Sequence, residues 1–148
     1  MTSGPMTRDD PLSPVGMIRR LRWVMLLVIL ADILLTLSGQ PRSYWTDPST
    51  VRESNALFHY IMSKGYGVSL AVDVFYVGGC FLLVSKLPCR LGAVLLFSLV
   101  FGHFFGGASW LLFRYQLGVQ SVVYYGIAVS ILIVLAAVPP RRARKPAD

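Results

Sequence analysis

Four apolar runs dominate the hydrophobic pattern of the chain, at about residues 21–38, 68–85, 91–113 and 120–138. A helix rises 1.5 Å per residue, so roughly 20 apolar residues cross the ~30 Å hydrocarbon core of a bilayer. The first run is slightly short, and the arginines beside it can extend it by snorkelling to the interface. Backbone polar groups in lipid must be bonded within their own segment, so each run is predicted to be a helix. The pattern predicts an all-α polytopic membrane protein with four antiparallel transmembrane helices.

The polar segment between the first two runs predicts a short amphipathic helix over about residues 50–64. Thr50 and Glu53 have the spacing of a capping box, in which each side chain bonds a backbone N–H of the first turn. Polar and apolar side chains then fall on opposite faces, which is typical of a helix on the membrane surface or over the mouth of a bundle. Gly65 is expected to end this helix.

The remaining chain divides simply. Residues 1–16, rich in Pro, Ser, Gly and Asp, are predicted to be a disordered cytoplasmic tail. Residues 17–138 are predicted to form a single transmembrane domain, and residues 139–148 a basic cytoplasmic tail.

Composition and charge set the orientation. The chain has 148 residues, 55% of them hydrophobic, and a mean hydropathy of +0.61, which is typical of membrane proteins. Of its 14 Lys and Arg residues, ten fall on the side of the two termini and four on the other side. The positive-inside rule then predicts cytoplasmic N- and C-termini, and an imbalance of this size argues against dual-topology insertion.

No basic stripe with interleaved aromatics is present, so nucleic-acid binding is not expected. The expected partners are the lipid bilayer and a second copy or a larger membrane complex.

Signatures of catalysis and metal binding are absent from the sequence. Cys80 and Cys89 form neither a CxxC pair nor a zinc-ligand set, and are interpreted as small apolar residues. No GxSxG, HExxH or phosphate-binding loop occurs. Two histidines and several carboxylates could in principle hold Zn²⁺ or Mn²⁺, but they are scattered over different spans. No metal and no cofactor are predicted.

Three ionisable side chains interrupt the apolar runs. Asp32 and Asp73 are predicted at matching depth, roughly 10 Å below the outer surface, and His103 enters from the third span somewhat deeper. Thr36 lies one turn from Asp32. A charged group at the bilayer centre costs a few kcal/mol, so such groups are usually paired, protonated or beside water. We predict an outward-facing polar site formed by Asp32, Thr36, Asp73 and His103. The alternative is separate structural roles, with each side chain bonding a local neighbour.

Two further sets of residues accompany this site. Glu53, Asn55 and His59 lie on the amphipathic segment and are predicted to form a lid. Ser98, Gly102 and Gly106 recur every fourth residue, a small-xxx-small pattern that allows close approach of another helix. This groove is predicted to pack either within the bundle or at a dimer contact, with Gly78 and Gly79 as a candidate partner surface.

A resemblance rests on four groups of residues. They are Asp32-x-x-x-Thr36, Gly39-Gln-Pro with Tyr44-Trp45, Glu53-x-Asn55 and Gly102-His103-x-x-Gly106-x-x-x-Trp110. In this respect the chain resembles a group of small, uncharacterised bacterial inner-membrane proteins with four spans, over residues of about 21–110. Ala56 stands where that group usually has proline. The resemblance implies a multi-pass protein of the cell inner membrane and brings no activity.

Three functions are compatible with these features. The sequence favours a non-catalytic membrane module or complex subunit. The second hypothesis is a proton-coupled binding or transport protein for a small solute, acting as an oligomer through Asp32, Asp73 and His103. The third is a small intramembrane enzyme that acts on a lipid or a quinone with an Asp–His pair as acid and base.

Overall fold

The computed structural model describes residues 13–138, and within them the chain is helical with no strand. Four helices are long and apolar enough to cross a membrane, which confirms the predicted all-α, four-span architecture. The helices are α1 (Pro14–Ser38), α2 (Ala56–Met62), α3 (Tyr66–Lys86), α4 (Cys89–Ser109) and α5 (Gly118–Ala137). A π-helical turn, Trp110–Arg114, continues α4, and two 3₁₀ turns, Arg42–Trp45 and Pro48–Thr50, precede α2.

Helix α1 begins earlier than predicted. Ser13 caps it by accepting a hydrogen bond from the Gly16 N–H, and Pro14 occupies the first helical position, where its missing N–H costs nothing. The end of the segment assigned to a disordered tail is therefore helical from Pro14 onward. The rest of both predicted tails, 1–12 and 139–148, lies outside the described residues.

Helix α2 is shorter than the predicted helix, and its predicted cap is wrong. It begins at Ala56, with the Asn55 side chain accepting from the N–H groups of Leu57 and Phe58. Thr50 instead ends a 3₁₀ turn, where its hydroxyl donates to the Asp47 carbonyl. Both backbone groups of Arg52 are bonded by the side chain of Gln40, so the chain there cannot enter a helix.

Helix α1 forms the centre of the bundle and packs against α3, α4 and α5. Its buried side chains recur at helical spacing, as expected for a face that meets other helices. They are Ile18, Leu21, Val24, Met25, Val28 and Ile29. Val129 is the single buried residue that α5 contributes, so most of α5 is available to lipid.

The four long helices alternate in direction and give the bundle two distinct ends. Arg20 near the start of α1 donates to the carbonyls of Ala136 and Ala137 at the end of α5. The start of α1 and the end of α5 therefore lie at the same end of the bundle. Helix α2 and the turns around it lie at the opposite end, called the loop end below.

The loop end has a small core of its own. Tyr44, Val51 and Met62 are buried together, with Leu37 of α1 packed against them. Burial and the nearby carboxylate of Asp73 raise the pKa of Tyr44 above its usual value. Gln40 holds this region to α1, because its side-chain amide bonds the Thr36 carbonyl at 3.1 Å as well as both backbone groups of Arg52.

Candidate functional site

The bundle opens at the loop end into a cavity of about 890 Å³ between α1, α3, α4 and the segment leading into α2. All four residues predicted for the polar site line this cavity: Asp32, Thr36, Asp73 and His103. The rest of its wall is mixed, with serines, an asparagine and a glutamate among leucine, isoleucine and aromatic side chains. The cavity can therefore admit water or a polar solute to the depth of the ionisable groups.

His103 is held between two side chains from different helices. Its Nδ1 lies 2.7 Å from Oδ2 of Asp32 on α1, and its Nε2 lies 2.9 Å from the hydroxyl of Tyr76 on α3. A carboxylate can only accept, so Nδ1–H donates to Asp32, and Nε2 of the neutral ring accepts from the Tyr76 O–H. The side chains of His103 and Asp32 are only 14% and 16% exposed. The result is a continuous Asp–His–Tyr chain of hydrogen bonds across three helices.

Gly106 makes this chain of hydrogen bonds possible. A Cβ atom at Gly106 would lie 2.6 and 2.7 Å from the two carboxyl oxygens of Asp32. Any larger residue would therefore push Asp32 away from α4, where His103 is located one turn earlier. The glycine provides the space that lets a side chain of α1 reach the backbone of α4.

Asp73 lines the same cavity but stands apart from the hydrogen-bonded chain. It is only 8% exposed and, within residues 13–138, it forms neither a hydrogen bond nor a salt bridge. Ser69, one turn earlier on α3, is 2% exposed and also lines the cavity. Thr36 shares the cavity without a side-chain bond to Asp32. The structure thus brings the predicted residues together in one cavity, while only Asp32 and His103 bond directly.

The second carboxyl oxygen of Asp32, Oδ1, is buried with no hydrogen-bond partner among the described residues. The hydroxyl of Tyr125 on α5 is a second buried polar group without such a partner. Tyr125 packs over Gly107, where a Cβ would lie 3.2 Å from its hydroxyl oxygen. Asp32 therefore has one oxygen bonded to His103 and a second one still able to accept.

Two of the three predicted lid residues line the cavity. Glu53 and Asn55 do so, whereas His59 is exposed and its Nδ1 lies 3.2 Å from the Glu53 carbonyl oxygen. His59 is misplaced in the prediction because α2 begins at Ala56, which turns a different face toward the bundle. Phe58 takes the inner position and meets Tyr76 edge-on, with ring centroids 6.1 Å apart.

The predicted glycine groove lines the cavity as well. Ser98, Gly102 and Gly106 all face it, and a Cβ at Gly102 would have nothing within 4 Å. The prediction that this stripe packs against another helix of the same chain is therefore wrong at Gly102. Added Cβ atoms at Gly78 and Gly79 would likewise have no neighbour within 4 Å. Their use at a dimer contact stays a prediction.

Several residues of the cavity were not predicted. Tyr76 lies on α3, one turn from Asp73, and lines the cavity. Trp110 also lines the cavity and packs on Gly39. Arg52 and Arg114 also line it at the loop end, and Arg114 donates to the Gly39 carbonyl.

Metal ligands do not cluster in the part of the chain that the structure describes. No three His, Cys, Asp or Glu side chains there lie close enough to hold a metal ion together. Cys80 and Cys89 are both free thiols.

The fold and the cavity define the class of protein: a multi-pass α-helical membrane protein with a polar cavity open at one end. No protein-family model matches the chain, and no curated protein or solved structure is significantly similar to it. The resemblance to small bacterial four-span proteins therefore stays a prediction.

Proposed function

We propose that the protein binds a small solute in the loop-end cavity and couples binding to the uptake or release of a proton by His103. The observation that carries this proposal is the position of His103, bonded by Asp32 on one side and Tyr76 on the other at the wall of the cavity. Imidazole is the side chain that normally exchanges protons near neutral pH.

The hydrogen-bond geometry links a proton on His103 to the donor and acceptor groups that the cavity wall presents. In the neutral ring, Nε2 accepts from Tyr76. In the charged ring, both nitrogens donate. The Tyr76 hydroxyl must then accept from Nε2–H and turn its own hydrogen toward another acceptor, either a solute or water in the cavity. A solute that accepts this hydrogen favours the charged state of His103. A solute that instead supplies a hydrogen favours the neutral state.

The charged and titratable groups around His103 come from every side. Asp32 approaches from α1, Tyr76 and Asp73 lie on α3, and Tyr125 of α5 packs beside Gly107 on α4. At the mouth of the cavity are Glu53, Arg52 and Arg114. His103 is the member of this group that is bonded to two others, and the proposal assigns the response to pH to it.

The competing functions make further demands on this geometry. An enzyme that uses the Asp32–His103–Tyr76 chain needs Tyr76 as the group that meets the substrate, because both ring nitrogens of His103 are bonded to protein side chains. A purely structural module would have little need for an open cavity beside its buried ionisable groups, because such cavities forfeit packing contacts.

The charge asymmetry supports an orientation for the chain, and the resemblance to small bacterial four-span proteins supports a particular membrane. We propose a multi-pass protein of a bacterial inner membrane with both termini in the cytoplasm and the cavity open to the outside. Three spans packed around α1 are too few to enclose a pathway, so movement of a solute across the bilayer requires a homo-oligomer or a larger complex. Binding alone requires a single chain.

Trp110 provides a direct test, because it lines the cavity while Trp23 and Trp45 are 54% and 52% exposed. The variant Trp23→Phe/Trp45→Phe leaves Trp110 as the single tryptophan, at the site. Benzylammonium, benzyl alcohol and benzoate are then titrated in detergent micelles across pH 5.5–8. We expect saturable binding of at least one probe, with a dissociation constant that changes by up to about tenfold per pH unit.

Two histidine variants complete the test. His103→Gln is expected to remove the pH dependence, whereas His59→Gln, at the exposed histidine outside the cavity, retains it. Failure of all three probes to bind at millimolar concentration, or a pH dependence that persists in His103→Gln, contradicts the proposed function.

A further inference from the structure

We infer that the solute bound in the cavity is an organic cation whose ammonium group is held by Asp73. The inference rests on the proposed function and names the chemical class of its ligand. It follows from a difference between the two intramembrane aspartates: Asp32 is bonded to His103, and Asp73 has no such partner among residues 13–138.

Asp73 is a buried carboxyl group that faces the cavity. It is 8% exposed, and no Lys, Arg or His side chain within residues 13–138 forms a salt bridge with it. A carboxylate in a medium of low dielectric constant is costly unless a cation pairs with it or a proton neutralises it. Charged His103 acts on Asp73 only from a distance, since its Nδ1 is bonded to Asp32. A cation bound in the cavity can therefore supply the close partner that an ionised Asp73 lacks among residues 13–138.

The two arginines of the cavity do not fill this role. Arg114 donates its Nε–H to the carbonyl of Gly39 at the end of α1. The backbone of Arg52 is held by Gln40, and its exposed side chain forms no salt bridge with Asp73. Both positive charges remain at the loop end of the cavity wall.

The surroundings of Asp73 suit an ammonium group better than a metal ion. Ser69 presents a hydroxyl oxygen one turn away, and the rings of Phe58 and Tyr76 line the same space. Aromatic faces attract organic cations, and an ammonium group needs only one carboxylate and a few acceptors. A divalent metal needs more protein ligands, and no three candidate ligands cluster among the described residues.

The opposite wall leaves room for the ligand. Gly102 on α4 has no side chain, and a Cβ there would meet no atom within 4 Å. Ser98, one turn away, is also small and lines the cavity. A ligand larger than a bare ammonium ion can therefore lie against α4 while its charged end reaches α3.

The experiment compares three probes of equal ring size and different charge. In the variant with Trp110 as its single tryptophan, benzylammonium is expected to bind at least about tenfold more tightly than benzyl alcohol, and benzoate most weakly. Asp73→Asn is expected to abolish the preference for benzylammonium. Asp47→Asn, which removes an exposed carboxylate of the loop, is expected to retain it.

A second measurement uses the unaltered chain, in case Asp73→Asn does not fold. A lipid-soluble carbodiimide modifies buried carboxyl groups, and peptide mass spectrometry locates the adduct. We expect benzylammonium to reduce labelling of Asp73 several-fold, and benzyl alcohol at the same concentration to leave it unchanged. Equal labelling with and without benzylammonium overturns the inference.

The outcomes separate the ligand class from the function. If benzoate or benzyl alcohol binds at least as tightly as benzylammonium, with a pH dependence that needs His103, the ligand class is wrong and the proposed function stands. If Asp73→Asn binds benzylammonium as tightly as the parent does, Asp73 is not the binding group. If no probe binds, the proposed function fails, and the inference fails with it.

Discussion

Gly106→Ala and Gly102→Ala form a matched pair of substitutions on one face of α4. An added methyl group at Gly106 lies 2.6 Å from a carboxyl oxygen of Asp32, whereas ordinary contact begins at about 3.4 Å, so Asp32 must move by about 0.8 Å. The same methyl group at Gly102 meets no atom within 4 Å. The two variants thus share the chemical change and differ in whether it displaces Asp32.

The expected energies have opposite signs. Alanine in place of glycine inside a helix stabilises by about 1 kcal/mol, and this gain applies to both variants. Gly106→Ala also loses the bond between Asp32 and His103, which is 2.7 Å long and of a kind that contributes about 1.5–3 kcal/mol. We therefore expect Gly102→Ala to be neutral or more stable than the parent, and Gly106→Ala to be less stable than Gly102→Ala by about 2 kcal/mol.

Two measurements check this prediction in detergent micelles. Reversible unfolding gives the free energies, and nitrogen NMR of labelled histidine reports the Nδ1–H of His103. Because the chain has only two histidines, the His59→Gln background leaves the signal of His103 alone. Equal unfolding free energies for the two alanine variants, with an unchanged His103 signal in Gly106→Ala, would refute the assignment of Gly106 as the residue that positions Asp32.

Three further predictions concern the loop end and the topology. Asn55→Ala should cost about 1 kcal/mol and speed hydrogen exchange at the first amides of α2, whereas Thr50→Ala should not, because Asn55 is the cap. Hydrogen bonds from Ser49 lower the pKa of Asp47, so this turn should be stabilised above the pH range of an ordinary aspartate and lose that contribution as the pH falls through the lowered value; Ser49→Ala should raise the pKa in a carbon NMR titration. A reporter fused after Asp148 should read as cytoplasmic, and an external reading would overturn the proposed orientation.

The four spans were predictable because they depend on local properties of the chain. Length and hydropathy decide whether a segment can cross a bilayer, and lipid forces the backbone of such a segment into a helix. Turn-forming residues in the sequence placed most of the predicted helix boundaries within a few residues of the observed ones. The exceptions, at the start of α1 and of α2, reflect caps by Ser13 and Asn55 that compete with equally plausible alternatives in the sequence. At α2, the bonds from Gln40 to Arg52 settle the competition, and these bonds join positions twelve residues apart.

The rotation of each helix about its axis was not predictable, and the site depends on it. In a soluble helix the buried face is the apolar one, whereas in a membrane the face toward lipid is just as apolar as the face toward the protein. Phe75 is 82% exposed and Val84 is 2% exposed on the same helix, and hydropathy does not distinguish them. For the same reason, the pattern of small residues on α4 predicted a helix contact along the whole stripe, whereas the structure has close contact with α1 at Gly106 and a cavity at Gly102.

The sequence by itself determined that three ionisable groups enter the membrane-spanning part of this chain, since a charged residue inside an apolar run is visible without a structure. Only the tertiary structure decided their partners. Asp32 and His103 are 71 residues apart in the chain, and their contact depends on the close approach of α1 and α4 that Gly106 permits. Tyr76 completes the chain of hydrogen bonds, and Asp73 has no partner among residues 13–138, because the packing of the bundle sets the rotation of α3 about its axis.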